Sequence, residues 1–408
     1  MKYAVLVGDG MADYPLGELG GKTPLMVANT PHMDWVASNG RVGLVKTIPP
    51  GFPSGTEIAN MSLFGYDPTR YFTGRGPLEA ASMGIPLEPG DLAFRCNLVS
   101  LVLVGSQVIM EDFTAGHISS EEAQQIIRDI DGELGTETIR FYPGLSYRHL
   151  MVWKGGGNRE ALEKLHLAPP HDIVGKGIFD YLPKVGDENG IVELLTRSQI
   201  LLKEHPVNVA RMENGLKPAN SIWLWGQGRR PQIPTLVEKF GIEGSMICAV
   251  DLLKGIGLYA GLEVVEVPGA TGYFDTNYRG KAVHGLKELE KRDLVFIHVE
   301  APDEAGHKGD IAKKIETIEA FDKEVVGTIL EGMRELGDHR LMVLPDHSTP
   351  ISLRTHAPDP VPFAIYDSRC GRNRSAAMGF DEESVKGSGV YIEDGHHIMD
   401  IFIRGNAP

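Results

Sequence analysis

The sequence predicts an α/β protein: a mainly parallel sheet flanked by helices, with a smaller α+β domain inserted into it. Near both ends of the chain, apolar runs of strand length alternate with longer segments of helical periodicity, as in βαβ units. The middle of the chain instead contains shorter strand candidates with fewer helices between them. The length of 408 residues is enough for roughly two to three domains.

The apolar runs near the two ends predict buried parallel strands. Residues 3–7, 293–299 and 340–344 are mostly apolar, and each run is followed by acidic residues or histidines. Residues 311–336 have an apolar side chain at every third or fourth position, which predicts a helix. Ligands of open α/β sheets bind beyond the carboxyl ends of the strands, so the acids after these runs are placed where a site would form.

The central segment predicts the inserted domain. We expect strands at 92–98, 100–104, 138–142, 149–152 and 221–225, and helices at 120–130 and 192–205. Turn-rich stretches at 84–90 and 226–231 flank the segment, and residues 245–250 resume the strand–helix pattern. We therefore expect a discontinuous first domain, residues 1–88 and 236–408, and a second domain over residues 89–235.

Composition excludes several classes of protein. The formal charge is −15, from 40 Lys plus Arg against 55 Asp plus Glu, so general binding to nucleic acid or to anionic membranes is disfavoured, although a local basic pocket is not. Cys96, Cys248 and Cys370 are far apart, which argues against a disulfide framework. The first apolar run is too short for a signal peptide, and none is long enough to span a membrane. We expect a cytoplasmic protein.

Scattered aspartates and histidines suggest a metal site. Asp303 and His307 are four residues apart, which places both on one face of a helical turn. The other candidates follow a predicted strand or stand in a nearby turn: Asp9, Asp346, His347 and His356. Carboxylate and imidazole ligands suit Mn²⁺ or Zn²⁺, and two ions would need about six of them. Taken singly, each residue could instead cap a turn or face solvent.

Residues 53–62 join a turn of small residues to the start of a helix. A hydroxyl at a helix N-terminus is ordinarily an N-cap. Thr56 could instead be a nucleophile, because the free N–H groups of a helix end stabilise phosphate and a base or a metal ion activates a hydroxyl. An ion held by Asp9, Asp346 and His347 could provide that activation.

Six segments together resemble the archaeal-type, cofactor-independent phosphoglycerate mutases of the alkaline phosphatase superfamily. They are GDGMAD at 8–13, GTEIANMSLFGYDP at 55–68, GRGPLEA at 74–80, PDEAGH at 302–307, PDH at 345–347 and THAPDPVP at 355–362. Their order and combination are specific, and the resemblance covers essentially the whole chain.

The resemblance implies that the protein interconverts 3-phosphoglycerate and 2-phosphoglycerate with two divalent metal ions and no bisphosphoglycerate. The ions are commonly Mn²⁺, and such ligands also accept Zn²⁺, Co²⁺ and sometimes Mg²⁺. One ion would be held by Asp303, His307 and His356, and the other by Asp9, Asp346, His347 and Thr56. Thr56 would form a phosphothreonine. The family nucleophile is often Ser, so Ser54 and Ser62 stay open as alternatives.

The inserted domain would bind the glycerate and keep water away, because hydrolysis of the intermediate would make the enzyme a phosphatase. His117 resembles the substrate-binding histidine of the family. Arginine offers bidentate geometry to carboxylate and phosphate, and further candidates for substrate contacts are Arg148, Arg229, Arg230 and Lys254. Solvated surface positions are the alternative for the arginines.

Two other functions are compatible with these residues. A phosphatase or a homoserine-kinase-like enzyme on the same scaffold would share the metal ligands and differ in the inserted domain. A non-catalytic binding protein could keep a metal site for stability, although a purely structural site would rarely place Thr56 among its ligands.

Overall fold

A computed structural model describes residues 1–155, 159–184, 190–370 and 379–405. In chain order its strands are β1 (Lys2–Gly8), β2 (Arg41–Val45), β3 (Leu92–Val104), β4 (Gln107–Asp112), β5 (Ile139–Tyr142), β6 (Arg148–Trp153), β7 (Ser221–Gly228), β8 (Gly244–Ile247), β9 (Glu263–Val264), β10 (Leu294–Val299), β11 (His339–Leu344), β12 (Val361–Asp367) and β13 (Tyr391–Ile392).

The α-helices alternate with these strands along the chain. They are α1 (Pro24–Val27), α2 (Pro31–Asn39), α3 (Thr56–Leu63), α4 (Pro68–Tyr71), α5 (Arg75–Ser82), α6 (Ser120–Leu134), α7 (Arg159–Glu163), α8 (Ile191–Leu202), α9 (Pro206–Glu213), α10 (Leu236–Phe240), α11 (Asp251–Tyr259), α12 (Tyr278–Lys291), α13 (Ala301–Lys308), α14 (Ile311–Ala320), α15 (Gly327–Met333) and α16 (Ile398–Arg404). Within the described residues, no helix combines the length and apolar character needed to cross a bilayer.

The chain divides into two compact units. The first unit comprises Met1–Phe72 and Gln232–Pro408, and the second comprises Thr73–Pro231. The boundary predicted after residue 88 lies beyond α5. In the structure Gly76 of α5 lies directly on the backbone of Ala93 in β3, so this helix belongs with the second unit. The sequence of α5 alone does not indicate that this helix packs on β3.

The first unit is built on an eight-stranded sheet in the order β13-β2-β12-β11-β1-β10-β8-β9. Pairing is parallel except where β12 runs antiparallel to β11 and to β2, so the predicted mainly parallel sheet is confirmed. β1 lies between β10 and β11 and is parallel to both. Strands buried on both faces have near-continuous apolar sequences, which is why residues 3–7, 293–299 and 340–344 were recognisable as strands.

Helices cover both faces of this sheet. On one face α2, α12 and α14 contribute apolar side chains to a cluster that includes Leu6 and Ile297. On the other face Phe64, which follows α3, stacks on Phe296 of β10 with ring centroids 4.3 Å apart. Full burial of each such side chain stabilises the fold by about 1.5–3 kcal/mol.

The predicted helix over residues 311–336 is continuous but changes its winding. A π-helical turn, Phe321–Val326, joins α14 to α15, and a 3₁₀ turn, Arg334–Leu336, follows. The π turn carries Asp322, whose carboxylate accepts hydrogen bonds from the backbone N–H groups of His32 and Met33 in the first turn of α2. The π turn therefore caps free N–H groups at the start of α2 and connects the two helices.

The second unit contains an antiparallel sheet in the order β4-β3-β6-β5, with β7 paired to β3. The two strands predicted at 92–98 and 100–104 are one strand, β3. Its partners change along its length: β6 pairs with it as far as Asn97 and β7 as far as Val99, and β4 pairs with it from Ser100 onward, where the register shifts. The Ser100 hydroxyl donates to the carbonyl of Pro218, so this polar residue is satisfied inside the strand.

Candidate active site

Three parallel strands bring the predicted acidic residues together. The register pairs Gly8 of β1 with Val299 of β10, and Val7 with Leu344 of β11. The residues that follow these strands therefore leave the sheet side by side, at its carboxyl edge. Asp9 comes directly after β1, Asp346 comes shortly after β11, and Asp303 stands on α13 immediately after β10.

One group of side chains gathers around Asp303. The Nε2 atom of His307 lies 3.2 Å from Asp303 Oδ2, and the Nε2 atom of His356 lies 3.3 Å from Asp303 Oδ1. The hydrogen bond with the Asp303 carboxylate raises the pKa of His307 to about 9. The spacing of four residues on α13 thus places Asp303 and His307 together, and the later turn adds His356.

A second group gathers around Asp9 and Asp346. His347 Nε2 lies 3.4 Å from Asp9 Oδ1 and 3.1 Å from the hydroxyl oxygen of Thr56. Asn60 of α3 donates to Asp346 Oδ2 at 2.7 Å and to the carbonyl of Thr56 at 2.9 Å, so it holds the strand end and the helix start in one arrangement.

The two groups touch each other at His347. Its ring stacks on that of His356 with centroids 4.0 Å apart, and ligand atoms of Asp303, His347 and His356 lie within 4.8 Å of one another. Asp9, His298 and Asp346 form a second set within the same limit. His347 is therefore placed between both sets, whereas the resemblance assigned it to the Asp9 group.

The donor chemistry and the electrostatics of this centre fit divalent cations. Burial, together with the nearby carboxylates of Asp346 and Asp303, raises the pKa of Asp9 well above its usual range. The Oδ1 atom of Asp9 is buried and has no hydrogen-bond partner among the described residues. Converging carboxylate oxygens and imidazole nitrogens are ligands for Mn²⁺ or Zn²⁺, and a cation would offset the repulsion between the acids.

Main-chain carbonyls orient two of the imidazole rings. His307 Nδ1 lies 3.0 Å from the carbonyl oxygen of Arg354, and His356 Nδ1 lies 2.7 Å from that of Ser54. A carbonyl oxygen only accepts hydrogen bonds, so each Nδ1 carries the proton. Loss of the Nε2 proton, which in His307 faces Asp303, would leave an Nε2 lone pair for a metal ion while the carbonyl keeps the proton on Nδ1.

His298 is a site residue that the sequence analysis missed. It lies on β10, is fully buried, and its Nε2 stands 3.7 Å from Asp9 Oδ2 and 3.6 Å from Asp346 Oδ2. Although burial acts to lower it, the carboxylates of Asp346 and Glu300 raise the pKa of His298 to about 9. A polar residue within an otherwise apolar strand, at 293–299, was the available signal.

Buried charges continue behind His298. Lys281 of α12 is fully buried and donates to Glu300 Oε2 at 2.7 Å and to the carbonyl of His298 at 2.9 Å. Glu300 also accepts a hydrogen bond from the backbone N–H of Ala249. Each charge thus has a partner, as buried ionised groups require.

Thr56, Ser54 and Ser62 are the three candidate nucleophiles, and their surroundings differ. It is the first residue of α3, with Gly55 as the N-cap, and its Oγ1 faces His347. The hydroxyl of Ser62 is buried and donates to the carbonyl of Thr47 at 2.6 Å. Ser54 contributes its carbonyl oxygen to His356. The Thr56 hydroxyl therefore contacts a predicted metal ligand, whereas the Ser62 hydroxyl is bonded elsewhere.

The remaining predicted residues are divided between the units: Lys254 belongs to the first unit, and the others belong to the second. In the second unit His117 and Arg148 are exposed, and Arg148 lies over the ring of Tyr147. Arg229 pairs with Glu163 at 2.7 Å. Two further predicted contacts are Arg230, which is exposed, and Lys254 of the first unit, which pairs with Glu266 at 2.9 Å.

The second unit also contains a cationic cluster that the sequence did not reveal. The Arg95 guanidinium lies over the ring of Trp225 at 4.3 Å, and that of Arg75 lies over the same ring at 5.6 Å. Arg95 is nine-tenths buried and pairs with Glu79 at 3.0 Å. Burial lowers the pKa of Arg95, and the positive charges of Arg75 and Arg148 lower it further.

Comparison with known proteins identifies the family. A family model for 2,3-bisphosphoglycerate-independent phosphoglycerate mutase matches residues 37–208. The probable 2,3-bisphosphoglycerate-independent phosphoglycerate mutase of Geobacter sulfurreducens is 50% identical over 403 residues, which cover 99% of this chain and 100% of the relative. The chain belongs to this family of isomerases. The mutase of Methanosarcina barkeri is 52% identical over 406 residues, with 99% of this chain and 100% of the relative covered.

Solved structures of similar proteins agree with membership of the phosphoglycerate mutase family. A protein of Pyrococcus horikoshii aligns with a TM-score of 0.81 at 29% identity, covering 100% of this chain and 98% of that one. The cofactor-independent phosphoglycerate mutase of Thermoplasma acidophilum aligns with a TM-score of 0.68 at 27% identity, with both chains fully covered. The resemblance drawn from the six sequence segments is thereby confirmed.

Proposed function

We propose that this chain interconverts 3-phosphoglycerate and 2-phosphoglycerate through a phosphothreonine on Thr56, with two divalent metal ions and without bisphosphoglycerate. The observation that carries the proposal is the Thr56 hydroxyl, which faces His347 Nε2 at 3.1 Å beside converging carboxylates and imidazoles. The names of full-length relatives at about half identity support the same reaction. A net charge of −15 further favours a small substrate over nucleic acid.

Two displacements at phosphorus account for the reaction. In the first, Thr56 Oγ1 attacks the phosphoryl group, the bond from phosphorus to the 3-oxygen of glycerate breaks, and the hydroxyl proton passes to that oxygen. In the second, the 2-hydroxyl of glycerate attacks phosphothreonine, and the proton returns to Thr56. Divalent ions held by the two ligand groups would lower the pKa of the attacking hydroxyl and offset charge on the phosphoryl oxygens.

The residues around Thr56 favour a phosphoryl group there. As the first residue of α3, Thr56 stands among the free N–H groups of the helix end, where the helix dipole favours anions. Asn60 keeps the Thr56 carbonyl and the Asp346 carboxylate in a fixed relation. The nucleophile is thus held by the backbone of a helix rather than by a free loop, which suits an in-line attack.

We further propose that cationic side chains of the second unit bind the carboxylate of the glycerate. The predicted contacts His117, Arg148, Arg229 and Arg230 belong to this unit, and Arg75 and Arg95 join them as candidates. Arg75, Arg95 and Arg148 are close enough for their charges to repel, and an anion would relieve that repulsion. Substituting Arg95 with Met should therefore raise KM for phosphoglycerate more than it lowers kcat.

A direct assay tests the activity. Purified protein with Mn²⁺ and 3-phosphoglycerate, but without bisphosphoglycerate, should produce 2-phosphoglycerate detectable by ³¹P NMR, and the reverse reaction should reach the same ratio. Release of inorganic phosphate in place of 2-phosphoglycerate would indicate the phosphatase alternative. A requirement for ATP would indicate the kinase-like alternative. Metal analysis of the active protein should find two divalent ions per chain.

A further inference from the structure

The ring of His347, unlike those of His307 and His356, makes no hydrogen bond with a main-chain carbonyl of the described residues. His347 is fully buried, and its Nδ1 lies 3.2 Å from the hydroxyl oxygen of Thr349. The same hydroxyl makes a hydrogen bond with Asp303 Oδ1. Thr349 is itself fully buried, so water does not compete for either contact. One hydroxyl therefore joins a member of each ligand group.

The Thr349 hydroxyl has one proton to donate, and the partner that receives it determines which ring nitrogen of His347 is protonated. The Nε2 atoms of His307 and His356 lie 3.2 and 3.3 Å from the two carboxylate oxygens of Asp303, and an ionised carboxylate only accepts hydrogen bonds. The Thr349 proton must then go to Asp303, and only a lone pair of the hydroxyl oxygen faces His347. A hydrogen bond between them requires a proton on Nδ1.

The backbone around Thr349 leaves its side chain little freedom. Its N–H donates to the carbonyl of Ala12 at 3.2 Å, and its carbonyl accepts from the buried Lys314 ammonium at 2.8 Å. Gly10, at φ +59°, lies against the Thr349 hydroxyl, and Gly306 lies against its methyl group; a Cβ at either glycine would collide with Thr349. The hydroxyl is thus directed at its two partners by packing on both sides.

We propose that Thr349 is a positioning residue that fixes His347 as the Nδ1–H tautomer and so presents the Nε2 lone pair to a metal ion and to Thr56. The tautomer follows from the hydrogen bonds alone; the metal part rests on the proposed function. His307 and His356 obtain the same tautomer from main-chain carbonyls, which no substitution removes. Thr349 is therefore the position at which the effect of ring orientation can be tested by mutation.

The tautomer is measured first, on metal-free protein labelled with ¹⁵N-histidine. The His347 signals are assigned by their loss in His347→Gln, and long-range ¹H–¹⁵N correlations report which ring nitrogen carries the proton. We expect Nδ1–H in the wild type and in Thr349→Ser, and a shift towards Nε2–H in Thr349→Val. A wild-type ring protonated at Nε2 would overturn the proposal, whether or not the variants fold.

Metal binding is measured second, by calorimetric titration of the metal-free proteins with Mn²⁺. Loss of a partner that orients a ligand typically weakens binding by roughly 10–100-fold, so Thr349→Val should bind at least one ion about tenfold more weakly, and Thr349→Ser should restore most of the affinity. The control is Thr317→Val, which deletes a buried hydroxyl that donates to the Lys314 carbonyl in α14 and should bind Mn²⁺ like the wild type.

Two results would contradict the role of Thr349. One is wild-type Mn²⁺ affinity in Thr349→Val despite a changed tautomer, and the other is an equal loss in Thr317→Val. Thermal unfolding of each metal-free variant shows whether weaker binding reflects a damaged fold. If the wild type shows the Nδ1–H tautomer and binds Mn²⁺ but does not convert phosphoglycerate, the proposed function fails and the positioning role of Thr349 stands.

Discussion

Thr56 is the residue on which the proposed chemistry depends, and its hydroxyl can be removed with little change of shape. Thr56→Val keeps the branched side chain at the start of α3 but has no nucleophile, so kcat should fall by at least about 10³-fold. Thr56→Ser keeps a hydroxyl and should retain measurable turnover. Both rates are obtained from the ³¹P assay with Mn²⁺ present.

The serines near Thr56 provide the matched control for this experiment. Ser54→Ala keeps the carbonyl that contacts His356, so turnover should persist. Phosphorylated peptide recovered from quenched enzyme should contain Thr56 in the wild type. Turnover in Thr56→Val comparable to the wild type would exclude Thr56 as the nucleophile.

Some residues of the centre could be predicted from the sequence, and others could not. Asp303 and His307 share a helix face, and Asp9 and Asp346 follow apolar strands, so spacing and position predicted them. His298 points into the centre from within a strand, where a histidine is equally compatible with ordinary packing. Thr349 is a small polar residue in a turn, and its role depends on contacts with residues distant in the chain.

At the scale of elements, Arg340 joins three parts of the first unit. It lies on β11, and its Nε donates to Asp367 Oδ2 of β12 at 2.6 Å. Its Nη1 donates to the carbonyl oxygens of Phe402 and Ile403 in α16. The arginine is nearly buried, so its charge depends on these partners.

Asp367→Asn should make the protein less stable at neutral pH. Although burial acts to raise it, the guanidinium groups of Arg369 and Arg340 hold the pKa of Asp367 below its usual range. The stability that this carboxylate contributes is present above its unfolded pKa of about 3.9 and is lost as the pH falls below that value. The variant should lose about 2–3 kcal/mol in urea unfolding at pH 7.

The pH dependence separates this effect from general damage. Wild type and Asp367→Asn should approach each other in stability as the pH falls below about 4, because the carboxylate of the unfolded wild-type chain is then increasingly protonated while that of the folded protein is still ionised. Glu393→Gln is the control, since Glu393 forms an exposed pair with Lys46, and exposed pairs contribute little. A difference between wild type and Asp367→Asn that is the same at pH 7 and pH 3 would contradict this account.

Elements also differed in how well their sequences predicted them. The central parallel strands were recognisable because both faces are buried and the runs are apolar. β12 was missed: it has a proline at its second position, Pro362, and proline within a run argues against a strand. The break between 98 and 100 was wrong because it reflected a change of partner along β3, which local sequence does not encode.

At the scale of the whole molecule, the predicted metal ligands all belong to the first unit, whereas Trp153, Trp223 and Trp225 belong to the second. Ions that bind only the native first unit would stabilise it by about 2.7 kcal/mol each at 100 times their Kd. Removing them with EDTA should therefore lower the unfolding temperature of the first unit more than that of the second.

Two probes distinguish the units in this experiment. Far-UV circular dichroism reports on both units, while tryptophan fluorescence reports mainly on the second, because only Trp35 lies in the first. EDTA should separate the two melting curves, and added Mn²⁺ should bring them together again. Curves that shift by the same amount with both probes would mean that the chain unfolds as one cooperative unit.

The central position of β1 has a consequence for the synthesis of the chain. β1 leaves the ribosome long before both of its sheet partners, because β10 and β11 are translated only after residue 293. At a translation rate of about 5–20 residues per second, this apolar strand remains without its sheet partners for roughly 15–60 s. The second unit is continuous in sequence, so it can complete its own fold during that interval. A nascent chain stalled before β10 should therefore bind a chaperone through β1.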